Sequence, residues 1–403
     1  MKNERKLVVV SQHYPPDIST TALILSNIAE RLATEVPVLV LSGTPGATLN
    51  QPAGLSVVEV KNWKSGKVAL VKRALAETGL AVRMFIAALK NLQREDVALT
   101  VTAPFTLPYA VVAAAKLKRA HAVLLMHDLY PDVLVAAGII KPNSLLARLI
   151  RGANSLMFRG LSKVVIIGRD TQRLLLRYSK LIQDNVVFIP NWATLTPGVR
   201  PLMPDNFYRG EVSSRFVVGL SGNLGFTHEP VVVFEAARLL QKETTIHFLL
   251  SGWGMGFEEL KALQREANLP NVTFIERVPE ESLEQLLAAA NIWVIPYRKN
   301  VAGVSIPSRF YNLLAVGRPV ILLSEPEAEA AIIVKENNLG WVIPPGSPGE
   351  LAEVLRFASS SMDPSLPKRA VDVALGYSLD RAMTSYVEVI LELLRNQKLP
   401  EQG

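Results

Sequence analysis

Short, uninterrupted runs of apolar residues recur along the chain and alternate with longer stretches whose apolar residues are three and four positions apart. The first pattern predicts strands buried on both faces, and the second predicts amphipathic helices. In the first half of the chain the predicted strands cover residues 7–11, 38–42, 56–60, 98–101, 122–126, 164–167 and 186–189. In the second half they cover residues 216–220, 246–251, 272–275, 292–296, 320–323 and 341–343.

Helical spacing fills the intervals between these strands, as over residues 21–33, 70–92 and 145–159. This alternation is typical of α/β proteins with parallel sheets covered on both faces. It stops at residues 191–214, a proline-rich stretch that indicates a linker. We therefore predict two doubly wound domains, residues 1–190 and 215–378, facing a cleft. Residues 379–403 begin with a helical pattern, which we expect to return toward the first domain.

Composition narrows the possible chemistry. Among 403 residues there is no cysteine, which excludes disulfides and thiolate sites, and the five histidines lack zinc-binding spacing. We therefore predict no metal and no cofactor. Threonines and prolines interrupt the apolar run at residues 98–115, so we predict no membrane span. The first apolar run is too short for a signal peptide, so we expect a cytoplasmic protein.

The net charge of +7 favours an anionic partner such as a phosphorylated substrate or an anionic membrane. No nucleic-acid-binding motif accompanies the charge, so we predict no nucleic-acid partner. Residues 63–90 and 144–160 combine basic residues with an apolar stripe, which indicates possible peripheral docking on the inner face of the cell membrane. The alternative is that both stretches are core helices with solvated basic residues.

The segment GVSIPSRFYNLLAVGRPV, residues 303–320, contains the first candidate site. Pro307 predicts the start of a helix, and Ser308, Arg309 and Asn312 are expected to face the mouth of the sheet. The predicted buried face comprises Phe310, Leu313, Leu314 and Gly317. Free N–H groups in the first turn, together with Arg309, would suit a phosphate. The alternative is a surface helix start with a solvated arginine.

Two glycine-containing turns are also candidates. SGNLGFTHEP, residues 221–230, follows a strand, and its glycines would let a ligand approach the backbone; an ordinary turn is the alternative. SGWGMGFEEL, residues 251–260, imitates a dinucleotide-binding motif, but Phe257 occupies the place of the third glycine. The alternative for this segment is the nicotinamide site of a dehydrogenase.

In the first half, polar residues follow strands at the positions where ligands bind in such sheets. His127 and Asp128 come after the strand at residues 122–126, whereas His121 and His247 are expected to be structural. The loop HYPPDISTT, residues 13–21, would line the cleft, with Ser19 or Thr20 capping the following helix. The acceptor-side candidates in this loop are His13, Tyr14, Asp17 and Thr20.

The order of HYPPD, MHDLYPD, IPNW, SGNLG, NVTFIERVPEESLEQLLAAANIWVIPY, GVSIPSRFYNLLAVGRPV and GWVIPPG resembles the family 4 retaining glycosyltransferases over nearly the whole chain. The resemblance is to the branch that builds bacterial capsule, colanic acid and O-antigen polysaccharides. It implies the GT-B fold, with a nucleotide-sugar donor bound by the second Rossmann-like domain and a lipid-linked or glycan acceptor held by the first. It also implies that no metal is needed.

The same resemblance implies roles for particular residues. The catalytic set would be His127, Asp128 and Arg309, with His127 against the donor sugar and Arg309 stabilising the leaving diphosphate. Donor contacts would come from Gly222, Asn223, Gly225, Arg277, Val278, Val304, Ser305, Ser308, Arg309 and Asn312. Val304 and Asn312 stand where many relatives have glutamates, although Asn312 is expected to reach the ribose. A non-catalytic sugar-nucleotide binder and a sugar-nucleotide epimerase are the alternatives.

Overall fold

The computed structural model describes residues 4–48, 54–62, 70–178, 180–212 and 214–395. Strands up to residue 189 are β1 Leu7–Ser11, β2 Val38–Ser42, β3 Leu55–Glu59, β4 Val97–Val101, β5 His121–Met126, β6 Lys163–Ile166 and β7 Val186–Phe188. Helices in this half are α1 Thr20–Ala33, α2 Leu70–Asn91, α3 Leu107–Lys118, α4 Asp132–Ala136, α5 Leu145–Phe158 and α6 Arg169–Leu175.

The second half repeats the alternation. Its strands are β8 Phe216–Asn223, β9 Ile246–Trp253, β10 Val272–Ile275, β11 Ile292–Pro296, β12 Val320–Leu323 and β13 Gly340–Ile343. Its helices are α7 Val231–Leu239, α8 Met255–Ala267, α9 Leu283–Ala288, α10 Arg309–Ala315, α11 Glu329–Glu336, α12 Pro348–Ser361, α13 Leu366–Ala374 and α14 Leu379–Arg395.

The chain forms two compact units. Unit 1 comprises residues 1–131, 143–189 and 380–403, and unit 2 comprises residues 132–142 and 190–379. Unit 1 contains a parallel sheet of order β3-β2-β1-β4-β5-β6-β7, and unit 2 contains one of order β10-β9-β8-β11-β12-β13. Each unit is therefore a doubly wound Rossmann-like domain, and α14 belongs almost entirely to unit 1.

Every strand predicted from the apolar runs is present, because parallel strands covered on both faces must be apolar at nearly every position. For two of the strands, β8 and β9, the predicted end lies before the end seen in the structure. β8 and β9 pair beyond their apolar runs, through Gly222 opposite Gly252, to Asn223 opposite Trp253. Glycine weakens a strand, so a strand is expected to end near one. Here β8 and β9 pair with each other through Gly222 and Gly252, and this pairing extends both strands past the glycines.

Three predictions, of one helix, one linker and one domain boundary, differ from the structure. The helix expected from Pro307 begins at Arg309 and is seven residues long, because residues 307–310 form a turn closed by the Phe310 N–H on the Pro307 carbonyl. The predicted linker is packed into unit 2, where the Gly198 N–H donates to the Ala315 carbonyl. Residues 132–142, which include α4, group with unit 2, whereas the sequence placed them in the first domain.

The predicted helix at residues 63–90 is seen as α2 from Leu70 onward, and residues 63–69 lie outside the described part of the chain. In the described residues no helix combines the length and the apolar character that crossing a membrane requires.

Candidate active site

The site of unit 2 lies where the strand order of its sheet reverses. Ligands of doubly wound sheets bind beyond the carboxyl ends of the strands at such a point. In unit 2 the chain order reverses between β8 and β11, the two neighbours at the centre of the sheet. β8 ends with Ser221, Gly222 and Asn223, and Trp253 ends the adjacent β9. The segment after β11 leads to Arg309, so separate motifs meet at one place.

Arg309 is held by residues at the ends of β8 and β9. Its Nη1 donates a hydrogen bond of 2.7 Å to the Oγ of Ser221. Its guanidinium carbon lies 5.8 Å from the ring centre of Trp253, within the range of a cation–π contact. A Cβ atom on Gly222 would lie 3.7 Å from the Nε of Arg309. The side chain is thus fixed in direction by neutral neighbours.

A second guanidinium shares the same aromatic ring. The guanidinium carbon of Arg277 lies 4.6 Å from the ring centre of Trp253. Burial lowers the pKa of Arg309 to about 10, Glu280 acts to raise it, and Arg277 lowers it further. Arg309 therefore remains charged at neutral pH. Within the described residues neither guanidinium forms an ion pair with a carboxylate. Two converging positive charges that no carboxylate binds directly are an environment for an anion.

Close contacts and positive φ angles favour glycine beside this pair. A Cβ atom on Gly252, whose φ is +151°, would lie 2.2 Å from the carbonyl oxygen of Gly222. A Cβ atom on Gly254, whose φ is +98°, would lie 2.7 Å from the Oδ1 of Asn223. These glycines let the ends of β8 and β9 lie side by side and bring the exposed Asn223 next to Trp253.

The other predicted donor residues differ in accessibility. Ser308 is exposed, Gly225, Val278 and Ser305 are half-buried, and Val304 is only 5% exposed. Val278 packs against a core cluster of unit 2 that contains Phe310 and Tyr311. Side chains in such positions can shape a site, but the Val304 side chain is not available for contact with a ligand.

Asn312 does not face the mouth of the sheet as predicted. It is buried, and its Oδ1 accepts hydrogen bonds from the backbone N–H groups of Thr194 at 2.7 Å and Leu195 at 3.2 Å. Its Nδ2 donates to the Oγ1 of Thr194 at 2.9 Å. α10 is buried on almost every side because the segment after residue 190 packs over the face expected to be open, so Asn312 anchors that segment.

In unit 1, His127 and Asp128 follow β5 as predicted. Their backbone N–H groups both donate to the Oγ1 of Thr102, at 3.3 and 3.2 Å. Burial lowers the pKa of His127 to about 4, so its ring is neutral at pH 7. The ring Nε2 is enclosed and has no hydrogen-bond partner among the described residues. A buried, unpaired ring nitrogen is costly unless a ligand supplies its partner.

A small pocket lies beside this pair within unit 1. The hydroxyl of Tyr109 donates to the Oδ1 of Asn154 at 2.5 Å, and the Nδ2 of Asn154 donates to the Tyr130 carbonyl. The pocket is lined by Thr102, Phe105, Pro108, Tyr109, Leu124, Met126, Asp128, Leu129, Tyr130, Asn154, Met157 and Phe158. It is therefore an aromatic pocket with a polar edge at Asp128.

The loop after β1 is organised by its own hydrogen bonds. The Nδ1 of His13 lies 2.7 Å from the Oδ2 of Asp17, and the Ser19 N–H donates to the Asp17 Oδ1 at 2.8 Å. Burial acts to raise the pKa of Asp17, but these hydrogen bonds outweigh it, so the pKa is lowered. Ser19 caps α1 and Thr20 is exposed, while Tyr14 is only 3% exposed and so unavailable to an acceptor.

Three residues that organise these sites escaped the sequence predictions. No role was predicted for Ser221 and Thr102, although their position at strand ends was a signal. Trp253 lies within the segment SGWGMGFEEL, but no role was predicted for it. The predictions for His121 and His247 as structural residues agree with the structure. His247 is buried and bonded to Thr273 at 2.8 Å.

Comparison with known proteins supports an assignment to a class. Residues 215–359 match the family Glycosyl transferases group 1. The chain is 26% identical over 361 residues to "Probable glycosyltransferase WbjE" of Pseudomonas aeruginosa, covering 87% of this chain and 88% of that protein. It is 24% identical over 221 residues to "Putative colanic acid biosynthesis glycosyl transferase WcaI" of Escherichia coli strain K12, covering 53% of this chain and 54% of that protein.

The fold has solved counterparts. A crystal structure of Anabaena HepE in complex with UDP and glucose superposes with a TM-score of 0.71, at 17% identity, over 96% of this chain and all of that one. Fold, domain match and relatives together define the class: the chain has the GT-B fold and is a glycosyltransferase.

Proposed function

We propose that this protein transfers a hexose-type sugar, with retention of anomeric configuration, from a nucleoside-diphosphate sugar to a lipid-linked or glycan acceptor in surface polysaccharide synthesis. The family 4 resemblance and the name of WcaI support the pathway class. HepE, whose fold is similar, binds UDP and glucose. The observation that carries the proposal is the arrangement of Arg309 and Arg277 on Trp253 without a carboxylate partner.

A diphosphate fits this arrangement better than a single carboxylate does. A guanidinium has five N–H donors, and Arg309 uses one of them on the neutral Ser221. The others, with those of Arg277, can bind oxygens of two adjacent phosphates in paired geometry. Asn223 and the glycine backbone beside it would contact the same group.

This geometry also suggests how the donor is activated. When the bond between the sugar and the phosphate breaks, negative charge grows on the diphosphate and positive charge on the sugar. Arg309, fixed in place before the reaction, would stabilise the first charge without reorganising. We propose that it does what a metal ion does in other transferases. In unit 1 we assign sugar contacts to His127, through its unpaired Nε2, and to Asp128.

The test is a screen of nucleoside-diphosphate sugars with lipid-linked acceptors, read by mass spectrometry for glycosylated product and released nucleotide. Wild type should transfer the sugar of at least one donor in the panel. Proton NMR of the product should show the same anomeric configuration as in that donor. Arg309→Ala should lose at least about a hundredfold in rate, because a buried charge partner is worth about 3 kcal/mol or more. The matched control is Arg356→Ala on α12, which pairs with Glu243. An Arg309→Ala enzyme as fast as wild type would remove Arg309 from the mechanism.

A non-catalytic sugar-nucleotide binder is the second candidate function. The observation in its favour is that Val304 and Asn312, at the positions where many relatives have glutamates, are both buried in unit 2. Calorimetry would separate the two candidates. Tight binding of a nucleotide sugar without turnover across the donor panel would establish the binder.

The proposed partners include an anionic membrane surface, which would give access to a lipid-linked acceptor. The support is the basic, amphipathic character of α2 and α5.

A further inference from the structure

One face of the unit 1 sheet is covered by three neighbouring helices that leave large apolar side chains in solvent. α2 packs on α3, α3 contacts α5, and all three contribute to one core cluster. Their opposite sides carry the exposed side chains Leu75, Val82, Ile86, Leu117, Leu145, Leu146, Leu149 and Leu156. Single exposed leucines are ordinary, but a run of them on adjoining helices marks an interaction surface.

The exposed leucines of α5 form a continuous stripe. Leu145, Leu149 and Leu156 are 74%, 63% and 68% exposed, and their spacing of four and seven residues places them on one helix face. The small residues Gly152 and Ala153 between them are exposed as well. The other face of α5 supplies buried residues to unit 1, namely Ala147, Asn154, Met157 and Phe158. Packing among the described residues therefore does not account for the stripe.

The segment of unit 1 that carries the stripe is basic in sequence. Residues 143–169 contain five lysines and arginines and no aspartate or glutamate, and one of the five, Lys163, pairs with Glu392 of α14. Two of them, Arg148 on α5 and Arg159 at its C-cap, are exposed and border the stripe on one side. Lys116, exposed at the end of α3, lies near Gly160, where an added Cβ would be 3.0 Å from its Cε. The charge complement of such a surface is a layer of phosphates.

We propose that the leucine–arginine surface, defined as Leu145, Leu149, Leu156, Arg148 and Arg159 with the basic end of α3, docks unit 1 on an anionic phospholipid membrane. The leucines would enter the boundary between headgroups and acyl chains, and the arginines would bind lipid phosphates. The inference rests on the membrane partner in the proposed function and assigns it to one helix face.

Vesicle flotation of the full-length protein tests this assignment, because it does not depend on turnover. Wild type should float with phosphatidylglycerol-containing vesicles and not with pure phosphatidylcholine, and added salt should weaken the binding. Arg148→Gln/Arg159→Gln should weaken binding to anionic vesicles by about tenfold or more. Leu149→Ser/Leu156→Ser should weaken binding to anionic vesicles to a similar extent. It should also abolish the binding that persists at high salt.

Matched variants control for general effects of charge and hydrophobicity. Leu239→Ser/Leu375→Ser changes two exposed leucines of unit 2 that are 54% and 57% exposed, and Lys242→Gln/Lys299→Gln removes two exposed lysines there. Both should float like wild type. Thermal unfolding should be unchanged in every variant, and Leu145→Ser/Leu146→Ser replaces the leucine variant if that one unfolds.

Three outcomes would overturn the assignment. If no vesicle binds wild type, the membrane partner itself is wrong, while sugar transfer to soluble acceptors is unaffected. If wild type floats and the leucine and arginine variants float equally well, another surface binds the membrane. If Leu149→Ser/Leu156→Ser converts a dimer into a monomer in sedimentation while flotation is unchanged, the stripe is an interface between copies of the chain.

Discussion

Replacing Trp253 by leucine should weaken nucleoside-diphosphate binding although the indole carries no charge. The ring contacts both guanidinium groups, with Arg277 at 4.6 Å and Arg309 at 5.8 Å from its centre. Leucine fills part of the volume but offers no aromatic face. Both arginines would then lose the surface that aligns them.

The magnitude follows from the two environments. Arg277 is exposed, so its cation–π contact is worth about 0.5–1 kcal/mol. The guanidinium of Arg309 is withdrawn from solvent, so its contact is worth up to about 2 kcal/mol. Together they predict a loss of about 1–3 kcal/mol, or roughly 5- to 150-fold in Kd.

Isothermal titration with UDP and GDP measures this loss directly. Trp253→Phe retains an aromatic face and should recover part of the affinity. If the role of Trp253 were purely structural, the affinity would instead follow the volume of the side chain. Trp341→Leu in β13, where the indole packs edge-on against Phe357, is the matched control and should bind like wild type. Wild-type affinity in Trp253→Leu, confirmed as folded by thermal unfolding, would refute the role of the indole.

Other predictions concern stability. Asn312→Ala should destabilise unit 2 by about 2–4 kcal/mol in urea, because buried N–H groups including that of Thr194 lose their acceptor, with nucleotide affinity little changed. Burial, aided by Arg215, lowers the pKa of His247 to about 4 from 6.5, so the folded state resists protonation. Stability should therefore fall as pH drops from about 6.5 toward 4, and less steeply in His247→Asn. Gly252→Ala should prevent soluble folding, because its Cβ would collide with backbone.

Each of these has its own check. A large loss of nucleotide affinity in folded Asn312→Ala would restore Asn312 as a ligand contact. A melting temperature of His247→Asn that follows wild type at every pH would assign the acid sensitivity to other groups. Gly349→Ala on α12, where an added Cβ meets nothing within 4 Å, is the control for Gly252→Ala and should fold normally.

The amino-acid sequence by itself determined the architecture. Strands buried on both faces require apolar residues at successive positions, so the runs from residues 7–11 to 341–343 were visible without any tertiary information. The carboxyl ends of those strands made His127, Gly222 and Asn223 candidate site residues, because ligands of such sheets bind there.

The tertiary structure decided which side chains meet. Ser221 and Arg309 are 88 residues apart in the chain, and their hydrogen bond depends on how the segments after β8 and β11 converge. Trp253 became part of the site because glycine contacts let β9 continue beside β8. Asn312 moved from an expected ligand contact to an anchor because the segment after residue 190 folds over α10. Periodicity describes which face of an element is apolar, whereas the partner of a polar side chain is chosen by packing between segments distant in sequence.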